Sequence, residues 1–195
     1  MRGGVIALAM LAVSIPATAQ DGENWRKVAT PADRKRLREW RTAWMAALAG
    51  ARTDREGRTA IAADAELFAP DRALTRPLPP EGDYRCRTIK LGHPGSVGLN
   101  YVAYPWFRCR VFDGRLAKID GSQRLGGRFH ADTDARAVLL GTLVLDDERK
   151  PIGYGRDRGR DMAGLVERIG PVRWRVVFPY PAYESLLDVL ELRPA

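Results

Sequence analysis

Residues 83–115 read DYRCRTIKLGHPGSVGLNYVAYPWFRCRVFDGR and contain both cysteines of the chain, Cys86 and Cys109. Each cysteine lies in an Arg-Cys-Arg triplet. A β-hairpin with its tip at Val97–Gly98 places the two cysteines opposite each other. Side chains alternate along a strand, so both cysteines then point to one face of the sheet and all four arginines to the other. The stretch therefore predicts a hairpin with one core face and one basic face.

The N-terminal residues have the pattern of an export signal. Arg2 provides a positive start, Val5–Ile15 is an apolar run, and Ala17–Ala19 is a small-residue cleavage motif. We predict cleavage after Ala19, which leaves Gln20 as the mature N-terminus. The apolar run is short for a membrane span, and no second run follows it. The mature protein is therefore expected in the periplasm or outside the cell, without a transmembrane span.

Export makes the two cysteines informative, because two cysteines in an oxidising compartment most simply form one disulfide. The hairpin places Cys86 and Cys109 within bridging distance. The Cys-x-x-Cys spacing typical of a redox pair is absent. We predict a structural disulfide that stabilises the fold by roughly 3 kcal/mol.

The chain before the hairpin is predicted to be helical. Thr30 as N-cap and Pro31 as first helical residue start a helix expected to run to about Arg52. Six apolar residues recur there at helical spacing: Leu37, Trp40, Trp44, Ala47, Leu48 and Ala51. They indicate a helix packed on the domain, and a helix lying on a membrane is the less favoured alternative. A second helical piece is expected at Thr59–Phe68, and the prolines of Pro77–Pro80 end the helical part.

Short strands and tight turns are predicted from residue 81 onward. Asp113-Gly114 is a two-residue turn signal, and Pro105 indicates an edge or a bulge. Ala135–Leu145 is apolar on both faces, which predicts a buried strand. Other strands are expected at Arg115–Asp120, before His130, and at Ile152–Tyr154, Gly164–Ile169, Val172–Phe178 and Leu186–Leu192. Eight or nine strands in an antiparallel meander favour a small closed barrel, because closure removes exposed edges, and a β-sandwich is the alternative.

The predicted organisation is an α+β chain that is mainly β. It comprises a signal peptide (1–19), a helical N-terminal annex ending in a Pro-rich linker (20–80), and an antiparallel β domain (81–195). The 195 residues carry a formal net charge of +8, which favours anionic partners. We expect an anionic envelope glycan or lipid rather than nucleic acid.

The basic face of the hairpin is the main candidate site. The Asp113-Gly114 turn places Arg115 on the same face as Arg85, Arg87, Arg108 and Arg110. Like charges opposed across strands destabilise a sheet, so carboxylates, salt or an anionic ligand should neutralise them. Planar guanidinium groups suit carboxylate, sulfate or phosphate. The alternative is an outer face screened by water and acidic side chains.

Two other kinds of function remain open from the residues. The segment Tyr154–Asp161 contains Asp157 and Asp161, the weak candidates for a catalytic carboxylate pair of a hydrolase acting on cell-wall or lipid substrates. No metal-ligand or cofactor motif is present, so no metal and no cofactor are expected. A barrel that inhibits lysozymes through a loop such as Gly121–Gly127 is disfavoured, because lysozymes are usually basic and would repel this basic chain.

Ten short motifs, in order along nearly the whole mature chain, resemble one known family. They are Trp25–Val28, Thr30–Asp33, Trp40–Trp44, Tyr84–Arg87, Gly121–Arg124, Leu140–Leu143, Tyr154–Asp157, Glu167–Gly170, Arg173–Arg175 and Leu187–Leu192. The chain resembles exported alphaproteobacterial proteins grouped as domain-of-unknown-function family 4893. The resemblance implies an exported single domain and brings no activity, cofactor or catalytic residue with it.

The function expected from these observations is that of a non-enzymatic envelope protein. It would bind an anionic envelope component, an acidic glycan or a lipid head group, through the arginine-rich sheet face. The hydrolase and the enzyme inhibitor are the alternatives.

Overall fold

In the part of the chain that the structure describes, nine strands form one antiparallel sheet that closes on itself. The structure, a computed structural model, describes residues 24–95, 98–121, 123–145, 148 and 152–195, so the predicted signal peptide lies outside the described residues. The strands are β1 (Gly82–Leu91), β2 (Tyr101–Ala103), β3 (Phe107–Phe112), β4 (Arg115–Lys118), β5 (Arg124–Ala131), β6 (Ala137–Val144), β7 (Asp161–Gly170), β8 (Arg173–Pro179) and β9 (Leu187–Pro194).

Pairing of the first strand with the last closes the barrel. β1 and β9 pair continuously from Tyr84 opposite Pro194 to Leu91 opposite Leu187. Each other strand of the closed ring follows its neighbour in chain order, and β2 is an extra strand that pairs with the end of β1. The predicted barrel is therefore confirmed, and the chain is not a sandwich.

The predicted hairpin register is wrong by three residues at β2 and by two residues at β3, because a bulge of one residue separates the two strands. The backbone N–H of Tyr104 donates to Thr88, whereas Phe107 pairs with Cys86. Pro105 and Trp106 together therefore occupy the space opposite one residue of β1. Cys109 faces Tyr84 instead of Cys86, yet a shift of two residues keeps the side chains of β3 on their predicted face, whereas the shift of three residues moves those of β2 to the opposite face. The predicted disulfide between Cys86 and Cys109 is present, with the Cα atoms 6.1 Å apart.

The next turn has the predicted register. Asp113 and Gly114 both have positive φ angles, 47° and 64°, as a two-residue hairpin turn of this hand requires. Arg110 consequently faces Ala117, and Val111 faces Leu116. The basic face therefore continues onto β4 as expected.

Within the described residues, five helices cover part of the outer wall of the barrel: α1 (Trp25–Val28), α2 (Pro31–Arg38), α3 (Trp40–Ala51), α4 (Arg55–Ala63) and α5 (Ala65–Phe68). The hydroxyl of Thr30 caps α2 by accepting from the backbone of Asp33, as predicted. The predicted single helix to Arg52 is interrupted at Glu39. The interruption follows from the curvature of the wall, because Leu37 packs with residues of β6 and β7, whereas Trp44 packs with residues of β1, β8 and β9.

Two further predictions differ from the structure. The second helical region divides at Asp64, which caps α5 and binds Arg173 of β8 through its carboxylate. The predicted strand at Ile152–Tyr154 is a turn region instead. The buried strand predicted within Ala135–Leu145 is confirmed as β6, whose residues are almost all buried. No helix in the described part of the chain is long and apolar enough to cross a membrane.

One end of the barrel interior is filled with side chains. The rings of Tyr84 and Trp174 meet there edge to face, with centroids 6.0 Å apart. Val111, Val166 and Leu192 belong to the same buried cluster. We call this the closed end, and it contains the turn Asp113-Gly114.

The disulfide should stabilise the barrel mainly by restricting the unfolded chain. It joins residues 23 apart in sequence, for which the chain-entropy relation gives about 3 kcal/mol. We expect Cys86→Ala/Cys109→Ala to lower the free energy of unfolding in urea by about that amount. A reducing agent should produce a similar loss in the native sequence and none in the double variant. Equal stabilities of the two proteins under oxidising conditions would contradict this account.

Candidate functional site

A cavity of about 550 Å³ occupies the interior at the other end of the barrel. All eight strands of the closed ring contribute to its lining. Its apolar residues include Phe107, Leu116, Leu125, Leu143, Met162 and Leu190. The cavity lies beyond the closed end, where the large rings of Tyr84 and Trp174 fill the interior.

The cavity reaches solvent between loops of that end, which we call the mouth. Three apolar or aromatic lining residues there are strongly exposed: Tyr104 by 44%, Leu145 by 36% and Tyr183 by 62%. They come from the β2–β3, β6–β7 and β8–β9 connections. A small molecule therefore has an apolar entrance to an apolar interior.

An ion-paired group of polar side chains lies on one wall of the cavity. The Lys90 ammonium is 3.3 Å from Asp188 and 3.4 Å from Glu184, and the Ser185 hydroxyl donates to Asp188. Burial opposes the charge on Lys90, but the two carboxylates outweigh it and hold the pKa of Lys90 above its ordinary value. Burial raises the pKa of the Asp188 carboxyl, against the opposing effects of Lys90 and Ser185. The Lys90 ammonium is therefore held by two carboxylates of this wall.

Lys118 is different, because it has no ion pair with any described residue. Leu116 points into the barrel, so Lys118, two residues further along β4, lines the cavity too. Its Nζ lies 4.4 Å from the centre of the Phe107 ring, and burial lowers its pKa. Asp120 is near in sequence, but Arg108 binds that carboxylate at 3.0 and 2.9 Å. The arrangement offers one cationic group to a ligand in an apolar space.

The five arginines of the predicted site lie on the outer face of the sheet, away from the cavity. Four of them contact carboxylates: Arg87 with Glu191 (2.6 Å), Arg108 with Asp120 (2.9 Å), Arg110 with Asp83 (2.6 Å) and Arg115 with Asp113 (3.8 Å). The fifth, Arg85, lies over the indole ring of Trp106. Much of the predicted positive charge is therefore compensated within the protein.

The two candidate catalytic carboxylates bind separate partners. Asp157 accepts from the backbone of Gly159 and pairs with Arg160 at 3.3 Å. Asp161 is 2% exposed and accepts from the backbone of Gly155. Neither carboxylate lines the cavity. Of the segment considered for an inhibitory loop, Arg124 and the residues after it belong to β5.

Sequence reasoning did not identify Lys90, Lys118 and Asp188. The sequence did contain the information needed to place Lys118 inside the barrel, because the turn at Asp113-Gly114 determines which residues of β4 point inward. Lys90 and Asp188 are paired across β1 and β9, and that pairing joins the two ends of the β domain. It depends on barrel closure, which no local pattern specifies.

Asp161 should make stability depend on pH. Burial raises the pKa of its carboxyl in the folded protein, and one of its oxygens has no hydrogen bond from a described residue. The folded state therefore holds the proton more tightly than the unfolded state. This contribution to stability is present at low pH and is lost as the pH rises through the raised pKa.

Asp161→Asn removes that titration. We expect the variant to gain stability relative to the native sequence as the pH rises above the ordinary range of an aspartate carboxyl. Urea unfolding at several pH values measures the difference. Asp157→Asn is the matched control, because that side chain is 40% exposed. A difference that stays constant or falls as the pH rises would contradict the interpretation.

Comparison with known proteins identifies a family and no annotated relative. No curated protein and no solved structure matches the chain significantly. The sequence profile described as "Domain of unknown function (DUF4893)" matches residues 25–192, which span all five helices and nearly all of the barrel. The chain belongs to the DUF4893 family.

Proposed function

We propose that the protein binds one small amphipathic molecule, with an apolar body and an acidic head group, inside the barrel. The observation that carries this proposal is the apolar cavity with Lys118 at its mouth end. Its volume, about 550 Å³, lies within the roughly 300–1,000 Å³ of small-molecule sites. Closed barrels of eight strands can hold one small ligand in this way.

The lining supports an amphiphile rather than a fully polar ligand. Aliphatic and aromatic side chains surround most of the space, so a hydrocarbon body is stabilised by leaving water. The Lys90 ammonium is already held between the Asp188 and Glu184 carboxylates. Lys118 has no such ion pair with a described residue, so a carboxylate or phosphate beside it would be held by a charge-assisted hydrogen bond.

The same features favour a binding protein over a hydrolase. The buried carboxylate in the cavity wall, Asp188, accepts from Ser185 and lies against Lys90. The other candidate acids, Asp157 and Asp161, have partners elsewhere. We therefore retain the non-enzymatic role, with the ligand inside the barrel.

Export is part of the proposal. The signal-like N-terminus and the Cys86–Cys109 disulfide both support an oxidising compartment outside the cytoplasm. An acidic amphiphile is a chemistry that cell envelopes supply as lipids and their fragments. The exported barrel would bind or carry such a molecule.

Lys118→Met tests the role of the ammonium, because methionine keeps an apolar stem and removes the charge. Binding is measured by displacement of the fluorescent probe anilinonaphthalene sulfonate with laurate or with uncharged lauryl alcohol. We expect about tenfold weaker laurate binding, corresponding to about 1.4 kcal/mol, and unchanged binding of the alcohol.

Lys35→Met is the matched control, since Lys35 is exposed on α2, outside the cavity lining. It should bind both ligands as the native sequence does. Equal laurate affinities of Lys118→Met and the control would contradict the assignment of the head group to Lys118. If neither laurate nor lauryl alcohol displaces the probe from the native protein, the proposed function is wrong.

Export predicts a defined mature chain. When the full sequence is expressed with its N-terminus intact in a Gram-negative host, the periplasmic fraction should contain protein whose intact mass corresponds to a chain starting at Gln20 with one disulfide. Replacement of Ala17 and Ala19 by arginine should prevent processing. Full-length reduced protein confined to the cytoplasm would contradict export.

A further inference from the structure

A row of three arginines crosses the outer wall of the barrel. Arg193 of β9 pairs directly with Arg85 of β1, and Arg85 pairs directly with Arg108 of β3. Neighbouring strands are about 4.8 Å apart, so the backbone positions of the row span about 10 Å. Directly opposed like charges destabilise a sheet, so this arrangement has an electrostatic cost.

Trp106 lies among these guanidinium groups. The Arg85, Arg87 and Arg193 guanidinium carbons are 5.4, 4.9 and 5.7 Å from the centre of its ring. Contacts of this kind attract a cation to the ring face and leave the edge of the guanidinium group free to donate hydrogen bonds. Trp106 is only partly buried, so the cluster faces solvent.

The carboxylates around Trp106 do not balance the arginines. Glu191 accepts from Arg87, Arg173 and Arg193, and Asp64 binds Arg173 and lies 3.7 Å from Arg87. Arg85 has no ion pair with any described residue. Three guanidinium groups therefore share two carboxylates, and Arg85 pairs with neither. Positive charge is in surplus around Trp106, where Arg85 is unpaired and Arg193, 48% exposed, shares Glu191 with two other arginines.

The position of the cluster links the outer wall to the mouth. Trp106 forms the bulge together with Pro105. Pro105, Tyr104 before it and Phe107 after the bulge line the cavity. Tyr104 is exposed at the mouth. One short segment thus carries an aromatic ring among arginines on the outside and aromatic rings at the cavity entrance.

We propose that the outer wall around Arg85, Trp106 and Arg193 docks on an anionic phospholipid bilayer. Guanidinium groups in a row can each donate to a lipid phosphate, and tryptophan and tyrosine side chains favour the membrane–water interface. The preference for a lipid surface over an acidic glycan rests on the proposed function. Docking of the outer wall would bring the nearby mouth close to the bilayer, where an amphiphile could pass between the cavity and the membrane. The charge surplus itself does not depend on that function.

Cosedimentation with vesicles tests the docking. The native protein should bind vesicles of phosphatidylcholine mixed with phosphatidylglycerol, and binding to pure phosphatidylcholine should be much weaker. Each basic residue near an anionic surface changes affinity about fivefold, so Arg85→Gln/Arg193→Gln should bind roughly 25-fold more weakly. Trp106→Ser provides a further variant that keeps the net charge, and it should also weaken binding.

Arg38→Gln/Arg55→Gln is the matched control, because it removes the same charge from exposed positions of α2 and α4. Equal losses of vesicle affinity in the two double variants would overturn the proposal, since only the net charge of the protein would then determine binding. Binding to heparin beads that requires Arg85 and Arg193, without vesicle binding, would overturn it in favour of a glycan.

Laurate binding by the same variants keeps the two proposals separate. The docking variants should retain native laurate affinity. If the native protein binds vesicles through Arg85 and Arg193 but does not bind laurate, the cavity proposal is wrong and the docking proposal stands.

Discussion

The continuous pairing of β1 with β9 is the constraint on which the rest of the structure depends. It joins Leu91 to Leu187 at the mouth and Tyr84 to Pro194 at the closed end, and so turns a meander into a barrel. Only a closed sheet has an interior, and here the interior is divided between a packed end and a cavity. The same pairing brings Lys90 beside Asp188 inside the barrel and Arg85 beside Arg193 outside it.

The bulge after Tyr104 determines how the two proposed surfaces relate. Without the extra residue, the alternation of β2 would continue into β3 and no single segment would supply both the cavity entrance and Trp106. The disulfide from Cys86 to Cys109 crosses the same pair of strands, and Cys109 lines the cavity. The strand pair at β1 and β3 is therefore stabilised covalently where its hydrogen-bond ladder is interrupted.

Local chemistry explains which predictions from the sequence were correct. Asp113-Gly114 determines its own turn, so the register through β3 and β4 followed from two residues. The disulfide needed only the right face and approximate alignment, and both survived a shift of two residues. The shift itself arose in the connection between β1 and β2, which already pair three residues away from the predicted alignment, and the bulge at Pro105 and Trp106 recovers one residue. The interruption of the helix at Glu39 depends on the curvature of the wall that α2 and α3 cover, which no helical periodicity contains.

The candidate site was less predictable than the fold. The arginines were predicted as the site because they cluster in sequence. In the fold, however, several of them pair with carboxylates from distant segments, as Arg87 does with Glu191. The residues that line the cavity are ordinary interior positions of eight strands. Their common feature is that they surround an empty volume, while Tyr84 and Trp174 fill the other end. Such a volume is a property of the assembled barrel, so no local sequence pattern predicts it.

Methionine-methyl NMR of the chain starting at Gln20 tests the central claim most directly. That chain contains two methionines, Met162 in the cavity lining and Met45 exposed on α3, so the second signal is an internal control. Titration with laurate should shift the Met162 methyl resonance to saturation and leave that of Met45 unchanged. Saturable binding that moves Met45 or neither methyl would place the ligand outside the barrel and contradict the account.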